Sequence, residues 1–168
     1  MKNLNKKVIN NEKGITLLAL VITIVVLIIL ASITVNIGKE GIKESKEDAM
    51  LSELAMVQNA ILQRKTKADL TQEDYPGETI ATAGINLEEV IEEINDNRAS
   101  GEEEISKKDS DNNHYYFLST ENGGLEALGI TNSEDAYIVN YETGEVINYT
   151  TKLTGTGKPL YIYAREAN

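Results

Sequence analysis

The sequence predicts an α+β protein: a long N-terminal transmembrane and stem helix followed by a small antiparallel β-sheet head. Three features lead there. Residues 15–37 carry no charge and are almost wholly apolar, residues 50–62 continue with an apolar stripe at helical spacing, and the last third alternates short β-branched and aromatic runs with turn residues.

The elements follow in chain order, beginning with residues 1–14. They are polar and basic and give way at Gly14 to Ile15-Thr16-Leu17-Leu18-Ala19-Leu20. From residue 15 to residue 35 there are fifteen Leu, Ile or Val side chains and no charge. On an insertion scale that amounts to about −5 to −9 kcal/mol. The uncharged stretch would extend about 34 Å as a helix, against a hydrocarbon core of about 30 Å. The lysines before it place the N-terminus in the cytoplasm and the head outside. A secretory signal peptide or an uncleaved anchor is the competing interpretation. The run is too long for the first, and neither explains why apolarity starts directly after a glycine.

Residues 38–67 form the second half of the stem. Met50, Leu54, Val57 and Ile61 fall at spacings of four, three and four, with Leu51, Ala55 and Leu62 in support. Gly38 and Gly41 each lower helix stability by about 1 kcal/mol relative to alanine and mark a point of bending.

The head is residues 68–168. After a loop with Tyr75-Pro76-Gly77, Asn86 serves as N-cap of a short helix with Glu89 as its capping-box partner, and Leu87, Val90, Ile91 and Ile94 form the buried stripe. Residues 95–113 are polar and acidic and read as an exposed loop. Strands are expected at 115–118, 136–141, 145–149 and 160–163, with a helical turn near residues 125–128. A hairpin turn at Tyr141-Glu142-Thr143-Gly144 has its glycine at a position suited to positive φ.

Composition narrows the function. Net charge is −11, and since residues 1–14 hold four lysines against one glutamate, the rest of the chain stands at −14. Such a head repels phosphate backbones, so no nucleic acid is expected as a partner. Cysteine is absent and His114 is the one histidine, which removes disulfides and thiolate sites and leaves little for transition-metal binding.

The junction Lys13-Gly14-Ile15-Thr16-Leu17 resembles the leader junction of type IV prepilins and pseudopilins, a likeness covering the leader and roughly the first 25 mature residues. Residues 137–146 are also similar to the C-terminal hairpin of pilin-like proteins from Gram-positive anaerobes. The resemblance implies a pilin-like fold. It further implies cleavage between Gly14 and Ile15 by a membrane-embedded prepilin peptidase, N-methylation of Ile15, and assembly with other pilin or pseudopilin subunits in a surface filament. Thr16 fits the family at the second mature position. Ala19 departs from it at the fifth, where the family carries a glutamate that pairs with a neighbour's amino terminus.

The expected role is therefore a structural subunit, major or minor, of a type IV pilus-like filament or of a secretion or competence pseudopilus. The alternative is an uncleaved single-pass anchor displaying an extracellular binding module. Mass spectrometry of the N-terminus separates the two. Neither requires catalysis, a cofactor or a metal. The glutamate pairs at 88–89, 92–93 and 102–104 follow from an acidic composition. Asp109-Ser110-Asp111-Asn112-Asn113 begins like a calcium loop but has His114 at the turn-glycine position and Thr120 in place of the bidentate glutamate.

Overall fold

The structure, a computed structural model, describes residues 12–108 and 114–163, with backbone alone for residues 12–18 and 29–42. The chain divides between Ile42 and Lys43 into two compact units. Helix α1 (Glu12–Thr71) contributes to both and runs through Gly38 and Gly41.

The transmembrane part of the expected fold class is corrected. Among the described residues no helix is long and apolar enough to cross a membrane. The side chains described in the first unit are those of residues 19–28, all apolar except Thr23. By residues 43–48 the same helix carries Lys43, Glu44, Lys46, Glu47 and Asp48.

The second unit is a sheet with a helix on each face. β1 (Glu78–Thr79), β2 (Tyr115–Leu118), β3 (Tyr137–Asn140), β4 (Val146–Asn148) and β5 (Tyr161–Ile162) pair antiparallel in sequence order. α2 (Leu87–Asn97) lies between β1 and β2, and α3 (Gly124–Ala127) between β2 and β3.

Strand side chains alternate between the two faces. Tyr116, Val139, Val146 and Ile162 form one cross-strand row, and Phe117, Ile138, Ile147 and Tyr161 the next. The first row packs with Leu54, Val57 and Ile61 of α1, all fully buried. The second packs with Leu87, Val90, Ile91 and Ile94 of α2. A sheet covered on both sides has buried residues throughout its central strands, and β3 and β4 are buried at every position. The expected stripe of α1 holds at Leu54, Val57 and Ile61, whereas Ala55 is exposed because it lies round the helix from them.

Local chemistry starts and stops these elements. The Asn86 side chain accepts from the Glu88 amide, capping α2, and donates to the Glu89 carboxylate at 3.0 Å. Gly144 closes the β3–β4 hairpin at φ +76°, and a Cβ there would meet Leu62 of α1 at 3.2 Å. Gln58 of α1 donates to the Gly144 carbonyl at 2.8 Å, so helix and hairpin are joined by a buried hydrogen bond.

Two expectations about the head change. β1 carries no strand signal in the sequence, because Glu78 and Thr79 are both polar and leave no apolar alternation to detect, whereas β5 lies in an apolar and aromatic run. The segment after α2 is not uniformly exposed: Asn95 donates to the Ile105 carbonyl and accepts from its amide, a two-point bracket that turns Ile105 into the core.

Candidate functional site

The processing and assembly residues sit at the start of α1. Gly14, Ile15 and Thr16 fall within its helical backbone, and their side chains lie outside the described residues. Ala19 is described and exposed. Leu20, Val21, Ile22, Ile24, Val25, Val26, Leu27 and Ile28 are each 47–63% exposed, so the surface here is apolar all round the helix. Thr23 turns its hydroxyl onto the Leu20 carbonyl at 2.8 Å and presents no free donor. Such a segment offers dispersion and apolar area for other apolar surfaces to cover, and no acid–base chemistry.

In the head the most constrained polar group is Glu145, just before β4 and 3% exposed. Its Oε2 accepts from the Tyr115 hydroxyl at 2.7 Å and the Thr143 hydroxyl at 2.8 Å. Its Oε1 accepts from the Tyr161 hydroxyl and lies 2.7 Å from Lys108 Nζ. Burial alone would raise the carboxyl pKa; the Lys108 ammonium and the three hydroxyls outweigh it and hold the group below its ordinary value. Burial and then the Glu145 contact push the Tyr115 and Tyr161 phenols well up. Both carboxylate oxygens are thus occupied, which makes Glu145 a charged clip holding the residues before β2, the β3–β4 turn and β5 together.

This cluster escaped the sequence reading, because its members lie far apart in the chain. The available signal was an acidic residue at the start of a strand directly after a turn glycine, with tyrosines in the neighbouring strands.

The other sequence candidates disperse. Glu88 and Glu92 meet Lys107, and Glu93 meets Lys152, in solvent-exposed pairs of low energetic weight. The 109–113 segment of the calcium-like loop lies outside the described residues. His114 is exposed, 3.4 Å from Glu142, and the described residues contain no group of three or more His, Cys, Asp or Glu placed to hold a metal ion.

One open groove of about 770 Å³ lies beside β2, β3 and β4. Phe117 and Tyr149 meet edge to face at 5.4 Å in its wall, and Glu121, Glu134 and Asp135 supply carboxylates. Lys152 Nζ lies 5.5 Å from the Tyr149 ring centroid. No protein-family model, no curated protein and no solved structure matches this chain.

Proposed function

We propose that the chain is a structural, non-catalytic subunit of a type IV pilus-like filament or of a secretion or competence pseudopilus, released from its leader after Gly14 by a prepilin peptidase. The observation that carries this proposal is the apolar surface of residues 20–28, where eight large side chains stand about half exposed. Covering them would contribute on the order of 10 kcal/mol before the ordering costs of association are subtracted. A surface apolar on every side suits burial among several equivalent helices better than docking to one partner. The junction at Gly14 and Ile15 supplies the processing half of the argument. The acidic head then faces outward at the cell surface.

The test is the mass of the chain recovered from cells that co-express a prepilin peptidase. The expected product begins at Ile15 and carries an added methyl group. Replacing Gly14 with leucine should leave the leader attached, because the peptidase must approach the backbone at that residue. A wild-type chain that keeps its full leader beside an active peptidase would discard the proposal in favour of an uncleaved display module.

A further inference from the structure

We infer that the groove beside β2, β3 and β4 is a binding site for a peptide segment of a partner protein that presents lysine or arginine. The inference is independent of processing, since the groove belongs wholly to residues 43–168.

The groove's walls are tied before any ligand arrives. Thr120 donates its hydroxyl to the Ser133 carbonyl at 3.2 Å, and the Ala136 amide donates to the Thr150 hydroxyl at 2.9 Å. A site whose sides are already fixed loses less entropy on binding.

Its chemistry favours a cation. Glu121 and Glu134 are exposed and have no hydrogen-bond or ion-pair partner among the described residues. Asp135 adds charge, but its oxygens are already engaged by Asn148 at 2.7 Å and Thr151 at 3.3 Å. The Phe117–Tyr149 pair supplies π surface in the same groove, and aromatic faces attract ammonium and guanidinium groups.

Lys152, itself part of the groove's lining, shows the Tyr149 ring beside a cation. Lys152 sits by the Tyr149 ring while its Nζ lies 2.7 Å from Glu93. The charge of Lys152 is thus paired with Glu93, a carboxylate outside the groove's lining, and leaves Glu121 and Glu134 unpaired among the described residues. Residues 43–168 contain 11 Lys or Arg against 25 Asp or Glu, so the field of the head steers cations towards it.

The test uses the full chain in detergent micelles, with a fluorescent tetralysine peptide as probe and tetraglutamate and a glucose tetramer as comparison ligands. Glu121→Gln/Glu134→Gln is expected to weaken tetralysine binding about 10-fold. Glu103→Gln/Glu104→Gln removes the same charge outside the groove and should weaken it less than about 3-fold at physiological salt. Tyr149→Leu changes no charge and should still weaken binding about 3-fold.

Equal losses in the two double variants would overturn the inference, reducing the effect to the net charge of the head. So would an absence of tetralysine binding, or displacement of tetralysine by the glucose tetramer, which would make the groove a glycan site. If Tyr149→Leu loses its sheet signal in circular dichroism, the comparison of the two double variants decides.

Discussion

Glu145 concentrates the physics of the head in one side chain. A carboxylate leaving water loses solvation worth several kcal/mol, and here four donors replace it. Glu145→Gln removes the charge but leaves Lys108, three-quarters buried, facing a neutral amide. The variant is expected to lose about 3 kcal/mol of unfolding free energy in urea at pH 7. Since the folded pKa lies below the ordinary 4.5, the contribution is complete above that value and is lost as pH falls through the folded pKa. The difference between wild type and variant should therefore be flat from neutral pH to about pH 5 and should narrow below 4.5. A difference unchanged down to pH 3 would mean that packing, and not charge, accounts for the loss.

At the scale of elements, α1 shows how a helix is read by its faces. Ile61 is fully buried against the sheet, so Ile61→Ala should cost about 2–5 kcal/mol, while Met56→Ala on the half-exposed face should stay within about 0.5 kcal/mol. Comparable losses at both positions in thermal unfolding would contradict the assignment of α1 to the sheet face through Leu54, Val57 and Ile61. These elements were legible because their signals are local. The Asn86 cap, the α2 stripe, the glycine of the β3–β4 turn and strands β2 to β5 each follow from a few neighbouring residues. β1 and the inward turn of Ile105 were not legible. The first exists because β2 offers it a partner, and the second because Asn95 brackets its backbone from ten residues away.

At the scale of the molecule, every buried hydrophobic residue among the described residues lies at Leu54 or beyond, so the second unit contains its own core. A chain starting at Lys43 is expected to fold without the preceding residues and to sediment as a monomer with a sheet signal in circular dichroism; aggregation with no sheet would show that the core needs the apolar part of α1. The sequence by itself determined the α+β class of this unit, the order of its main elements, the acidity of the head and the candidate junction at Gly14, because composition, periodicity and turn chemistry are properties of short stretches. Only the tertiary structure decided that α1 and α2 cover opposite faces of one sheet, that Glu145, Lys108, Tyr115 and Tyr161 converge, and that three strand ends enclose a groove. Those features depend on which distant residues meet, and that is set by minimising exposed apolar area and unpaired polar groups over the whole chain at once.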